Sequence, residues 1–127
     1  MILVDTSVSV DHLRASDKGL STLLEAGRVL VHLFVIGEIA LGHLRKRDTI
    51  LAALRRLPHA TAATDPEVLM FIEERSLMGI GIGYVDAHLL ASTGLSAEAA
   101  LWTRAKRLLS AVKRMGLNWR EDMSRGR

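Results

Sequence analysis

The chain has 127 residues, of which 49% are hydrophobic and 24% charged. This size corresponds to one domain, and this hydrophobic content is enough for a buried core, which excludes an intrinsically disordered protein. Cysteine is absent, which excludes disulfide bonds, thiolate metal sites and a cysteine nucleophile. Aromatic residues make up only 4%, which argues against recognition of nucleic acid by rows of stacked rings.

The net charge is +3, and its distribution is uneven. Basic residues outnumber acidic ones after residue 100, whereas the first hundred residues carry a slight acidic excess. This distribution of charge favours a polyanionic partner and makes the carboxylates of the acidic part candidate functional groups. No signal peptide and no apolar run long enough to span a membrane is visible, so we expect a cytoplasmic protein. We expect a single domain over residues 1–123 and a frayed basic tail at 124–127.

Two apolar runs in the first half of the chain, residues 1–4 and 29–34, predict strands. The first is wholly apolar, which is typical of a parallel strand buried on both faces. Segments with helical spacing lie after and between these strands, at residues 8–13, 16–27, 36–44 and 49–57. Ser7 or Thr6 is the expected N-cap of the first helix.

The second half continues the alternation of strands and helices. Helices are predicted at residues 64–77, 84–93 and 104–115. Strands are predicted at residues 60–64, 99–103 and 117–119. The first of these helices begins with a capping residue, a proline and an acidic first turn. Strands that alternate with helices pair in parallel, so we predict a three-layer α/β/α domain with a central parallel sheet of four to five strands.

Three acidic residues stand where the ligands of such a sheet bind, beyond the carboxyl ends of the strands. Asp5 follows the first strand, Glu38 lies near the start of the next strand's helix, and Asp86 follows a loop with three glycines. All three have apolar neighbours, so each carboxylate needs a partner for its charge. A hard divalent cation such as Mg²⁺ would stop the three from repelling one another, and the reaction class it indicates is hydrolysis of a phosphodiester.

Each acid also has a simpler interpretation. Asp5 could cap a helix, Glu38 could be a surface residue, and Asp86 could interact with the dipole of its own helix. His88 could orient a phosphate or a carboxylate, but a packed or exposed histidine is the simpler interpretation. Asp65 is interpreted as a solvated residue or a cap.

Four segments of the chain resemble successive motifs of the PIN-domain ribonucleases, in the branch of the VapC-type toxins of bacterial toxin–antitoxin systems. They are residues 1–7, 35–42, 86–92 and 101–108. The resemblance covers nearly the whole chain and implies a PIN-like fold and an endoribonuclease that depends on Mg²⁺ or Mn²⁺. It also implies a homodimer and a VapB-type antitoxin that inhibits the toxin, with DNA bound only indirectly through the antitoxin.

The family's site residues transfer to individual positions of this chain. Asp5, Glu38 and Asp86 match three acidic ligands. The polar residues that support the acidic cluster in the family match Thr6, Ser7 and Thr103. Three basic residues at the last strand–helix junction are candidates to hold RNA phosphates, with a solvated helix face as the alternative: Arg104, Lys106 and Arg107.

The chain departs from the family at the fourth acidic position, where Ala105 stands. Alanine has no oxygen for a metal or a water, so we expect weak or no cleavage, with the fold and antitoxin binding retained. Three explanations are open: an engineered substitution that silences a harmful toxin, a natural form in which three carboxylates suffice, or a silent member that only binds its antitoxin or RNA. The intact residues around the position favour the first.

Overall fold

A computed structural model describes residues 1–121. The strands of this range are β1 (Ile2–Val4), β2 (Val29–Leu30) and β3 (Ala100–Trp102). The helices are α1 (Thr6–Ala15), α2 (Lys18–Glu25), α3 (Leu33–Ala40), α4 (Arg47–Arg56), α5 (Asp65–Glu74), α6 (Tyr84–Leu95) and α7 (Lys106–Arg114). None of these helices is long and apolar enough to cross a membrane. The predicted domain end at residue 123 and the predicted tail at 124–127 lie outside the described residues.

The strands form one parallel sheet in the order β2–β1–β3, with the first strand of the chain at its centre. In the register, Leu3 lies opposite Leu30 on one side and Leu101 on the other. All three residues of β1 are buried, as its wholly apolar sequence predicts. The central strand therefore delivers the next residue, Asp5, to the middle of the carboxyl edge of the sheet.

The predicted count of four to five strands is wrong for the described part of the chain, which has three. At the positions of two predicted edge strands, the backbone makes only one parallel bridge each, between Val31 and His59 and between Leu101 and Asn118. The predicted strand at 29–34 is also too long, because the His32 ring accepts a hydrogen bond from the Phe34 amide and caps α3 there. A side chain that caps the backbone ends the strand, although the sequence remains apolar.

Helices cover both faces of the sheet, as an α/β/α domain requires. One face packs on α1 and α2, and its core includes Val4, Val8 and Trp102. The other face packs on α3, α4, α6 and α7 around Leu3 and Leu101. The three-layer prediction is therefore confirmed. Helix α6 is buried over seven consecutive residues, 87–93, which is typical of a helix enclosed by the core.

Two helix starts near the acidic residues depend on side-chain caps. Asp5, and not Ser7 or Thr6 as predicted, is the N-cap of α1, and its carboxylate accepts a hydrogen bond from the Thr6 amide at 2.7 Å. Thr64 and Glu67 form the expected capping box at the start of α5. The cap at Asp5 therefore fixes the direction of its carboxylate at the carboxyl edge of the sheet.

Candidate active site

The Asp5 carboxylate is buried at the carboxyl end of β1 and is held by three donors. Its Oδ1 accepts from the Thr6 amide at 2.7 Å. Its Oδ2 accepts from the Thr103 hydroxyl at 2.6 Å and from the Ser7 hydroxyl at 3.0 Å. These bonds use part of the acceptor capacity of an ionised carboxylate, which has about four lone-pair positions.

Backbone amides restrict the directions in which the two hydroxyls can donate. The amide of Arg104 donates to Ser7 Oγ, and the amide of Ala105 donates to Thr103 Oγ1, each at 3.0 Å. A hydroxyl that accepts from an amide directs its own hydrogen elsewhere, and Asp5 Oδ2 is the acceptor nearest to both hydroxyls, which also lie 3.4 Å from each other. The junction between β3 and α7 therefore orients the carboxylate at the end of β1.

Glu38 and Asp86 come to the same edge of the sheet from two other helices. Glu38 is exposed on α3, and its Oε1 accepts from the Thr6 hydroxyl at 2.6 Å. Asp86 is partly buried in the first turn of α6, and its Oδ2 accepts from the Gly83 amide at 3.2 Å. Each of the two carboxylates has a second oxygen with no hydrogen bond among those of the described residues.

The charges of Asp5 and Glu38 act on the carboxyl group of Asp86. Burial raises the pKa of Asp86, the Gly83 amide opposes this rise, and the negative charges of Asp5 and Glu38 raise the pKa further. The three predicted acids therefore lie near one another. Within residues 1–121, however, no three His, Asp or Glu side chains form a group that could hold a metal ion as they stand.

Ala105, which stands at the family's fourth acidic position, leaves the start of α7 without a side-chain cap. Ala105 is exposed and occupies the N-cap position of that helix, where no side chain accepts a hydrogen bond from the helix amides. Its amide is already part of the network that orients Asp5. Position 105 is thus linked to Asp5 through the Thr103 hydroxyl.

Arg104 is committed to carboxylates of this chain. Its guanidinium contacts Asp11 at 2.8 Å, Asp17 at 2.7 Å and Glu121, and it lies 5.5 Å from the ring centre of Trp102. Burial opposes the positive charge, but the bonds to the three acids outweigh it and raise the pKa of Arg104. All three guanidinium nitrogens of Arg104 thus bind carboxylates, which leaves fewer N–H groups for an RNA phosphate than the sequence alone suggests.

Lys106 and Arg107 are exposed at the start of α7. Arg107 lies over the glycine loop that precedes α6: a Cβ placed on Gly81 would be 2.1 Å from its Nη1. Gly81 also has a φ of +83°, which side-chain-bearing residues rarely adopt. Because Gly81 has no side chain, the Arg107 guanidinium can lie against the loop that precedes Asp86.

Asp65, Tyr84 and His88 form a further cluster, which the sequence patterns do not predict. The carboxylate of Asp65 accepts from the Tyr84 hydroxyl at 2.7 Å and lies 3.0 Å from His88 Nε2. His88 is buried, so its interpretation as a packed histidine is confirmed, and its partner carboxylate is Asp65. The spacing of Tyr84 and His88, four residues apart on one helix face, is the signal that points to this cluster.

A small α/β/α domain with acidic side chains at the carboxyl edge of its parallel sheet is the class of protein that the fold and the site define. Two curated proteins match the chain, both named Ribonuclease VapC32 and both from Mycobacterium tuberculosis, in two different strains. Each is 45% identical over 124 residues, which are 98% of this chain and 100% of the relative. The chain therefore belongs to the VapC-type family of PIN-domain ribonuclease toxins. No protein-family model matches it.

Proposed function

We propose that this chain is an endoribonuclease toxin that uses a divalent cation, with Asp5, Glu38 and Asp86 as its acidic site. The observation that carries the proposal is the convergence of the three carboxylates, each from a different element, so that two of them raise the pKa of the third. A family relative with the name of a ribonuclease supports the activity.

The donor set fits Mg²⁺ or Mn²⁺. All its groups are hard oxygens, and Mg²⁺ in proteins is commonly held by one or two carboxylates, with waters and substrate phosphates as the other ligands. Asp5 and Asp86 would hold the ion directly, and Glu38 would hold it or orient a water. When bound, such an ion lowers the pKa of a water and polarises the scissile phosphate.

The chain's own residues supply orientation. Ser7 and Thr103 fix the rotamer of Asp5 through bonds of 3.0 and 2.6 Å, and Thr6 links the Asp5 cap to Glu38. Such second-layer bonds hold metal-binding carboxylates in place and raise their affinity. Lys106 and Arg107 are exposed beside the site and would contact RNA phosphates, so binding should weaken steeply as salt rises.

Ala105 is the reason to expect impaired cleavage. Its side chain offers no oxygen next to the network that orients Asp5, and the acids of the described residues do not form a closed metal site. The second candidate function, a non-catalytic PIN-like module that binds an antitoxin or RNA, is favoured by the same observation. In either case we propose that the chain forms a homodimer and binds a VapB-type antitoxin, and that it contacts DNA only through this antitoxin. We also propose that it is located in the cytoplasm and does not contact a membrane.

The test is RNA cleavage by the chain and by its Ala105→Asp variant, with Mg²⁺, with Mn²⁺ and with EDTA. The proposal expects cleavage by Ala105→Asp with either metal, weaker or no cleavage by the parent, and none in EDTA. Asp86→Asn combined with Ala105→Asp is the matched control and should be inactive. If Ala105→Asp protein binds RNA or antitoxin but never cleaves RNA, the non-catalytic function is correct instead.

A further inference from the structure

Two aromatic side chains are exposed together near the acidic site. The chain has only two phenylalanines, one tyrosine and two tryptophans, and both tryptophans are buried. Phe34 and Tyr84, in contrast, are 39% and 45% exposed. The ring of His88 lies between them, 4.7 Å from the centre of each and nearly perpendicular to Tyr84. The three rings form one aromatic cluster.

The aromatic cluster and the acids connect the same two helices. Phe34 precedes Glu38 by four residues on α3, so the two side chains lie on one face of the helix. Tyr84 begins α6, and the amide of the residue before it, Gly83, binds Asp86. Phe34 therefore lies one helical turn from Glu38, and the Tyr84 ring extends the cluster to the start of the helix that carries Asp86.

Both exposed rings are held in place without a ligand. The Tyr84 hydroxyl donates to Asp65, which also binds His88, and this fixes one side of the cluster. On the other side, the His32 ring accepts from the Phe34 amide at 3.0 Å and packs against the Phe34 ring at a centroid distance of 5.0 Å. Rings that are already ordered lose little side-chain entropy when a planar group stacks on them.

We propose that Phe34 and Tyr84 form a stacking site for one nucleobase of the RNA strand whose phosphodiester lies at Asp5 and Asp86. The inference rests on the proposed ribonuclease function and adds the part of the substrate that the acids cannot recognise. A nucleobase fits better than an apolar peptide segment, because Glu38 lies one helical turn from Phe34 and Asp65 binds the Tyr84 hydroxyl, so polar acceptors border the rings and suit the N–H donors on the edge of a base. Every nucleobase has a stacking face, so this site favours unpaired over paired RNA and is tolerant of sequence.

The first experiment measures the affinity of the chain for a fluorescein-labelled single-stranded RNA by anisotropy, in EDTA, at low and moderate salt. Phe34→Leu and Tyr84→Leu should each bind about tenfold more weakly, whereas Tyr84→Phe, which keeps the ring, should bind nearly as the parent does. The salt dependence should be unchanged in all three, because stacking releases no counterions. Arg107→Gln should reduce the salt dependence, and Leu69→Ala, an exposed apolar change on α5, should change neither quantity.

The second experiment needs no variant and so is independent of folding. RNA that contains 4-thiouridine is cross-linked to the parent chain, and the attachment sites are mapped by mass spectrometry. Attachment at Phe34 or Tyr84 supports the inference, and attachment only at other residues overturns it.

The outcomes separate the two proposals. If the leucine variants bind RNA as tightly as the parent while Arg107→Gln binds less, the stacking site is wrong and the ribonuclease proposal stands. If the leucine variants lose a VapB-type peptide but keep RNA, the rings are a protein contact and the inference is overturned. If the parent chain and Ala105→Asp neither bind nor cleave RNA, both proposals are wrong.

Discussion

The uncapped start of α7 gives a prediction whose size follows from the structure. Ala105 is exposed at the N-cap with a φ of −70° and a ψ of 118°, which is the extended backbone of a capping residue. An asparagine there can accept from the amide of Arg107 or Leu108 without disturbing the Ala105 amide. Replacing alanine by a good capping residue stabilises a helix by about 1 kcal/mol. For a domain of this length, that corresponds to a rise in Tm of roughly 4 °C.

Aspartate at the same position caps equally well but adds a negative charge beside Asp5 and Asp86. Without metal we therefore expect Ala105→Asp to be less stable than Ala105→Asn, because the new charge repels the acids already there. Adding Mg²⁺ should close or reverse this difference, since only the aspartate variant gains a ligand. Differential scanning calorimetry of the two variants and the parent, in EDTA and in Mg²⁺, provides the assay.

Two results would refute this reasoning. If Ala105→Asn is no more stable than the parent, position 105 is not a functioning N-cap. If Ala105→Asp is at least as stable as Ala105→Asn in EDTA, the acids do not repel a charge at this position, and the fourth acid would not belong to their cluster.

Three further predictions concern other residues of the site. Burial and the neighbouring acids raise the pKa of Asp86, so the folded chain holds its proton more tightly than the unfolded chain and loses stability as pH rises through that pKa. Asp86→Asn should therefore have a higher Tm than the parent at neutral pH in EDTA, and a constant difference down to acidic pH would contradict this. Thr103→Val removes the 2.6 Å bond to Asp5 and leaves the amide of Ala105 without its partner, so urea denaturation should show a loss of about 1 to 3 kcal/mol, while Thr103→Ser keeps most of the stability. Gly81→Ala should reduce the affinity for RNA, because the new Cβ would displace Arg107. Gly79→Ala is the control for backbone strain alone, since Gly79 also has a positive φ, of +74°, but open space at its Cβ position. If the two variants bind RNA with equal affinity, Arg107 does not bind RNA.

The sequence predicted those parts of the fold that local chemistry determines. The apolar run before Asp5 correctly predicted a strand, since a strand buried on both faces has such a sequence. The capping box at Thr64 gave the start of α5, because both partners are three residues apart. The rule that ligands bind beyond the carboxyl ends of parallel strands selects Asp5, Glu38 and Asp86, and in the fold the charges of Asp5 and Glu38 raise the pKa of Asp86.

What the sequence did not predict depends on partners far along the chain. Arg104 was assigned to the RNA, but the fold brings Asp11 and Asp17 to it from 93 and 87 residues away. The His32 cap shortened the second strand, because one bond to the Phe34 amide outweighs an apolar sequence that suits either structure. Asp65 was interpreted as solvated or a cap, and nothing in its local sequence indicates that Tyr84 reaches it.

The bond between Thr103 and Asp5 joins two residues 98 positions apart. Closing so large a loop carries an entropic cost, which the packing of the sheet and its core offsets. In a partly synthesised or partly unfolded chain, only the neighbouring residues Thr6 and Ser7 are at hand to orient Asp5. The full set of bonds around Asp5 therefore exists only in a chain that extends at least to Thr103.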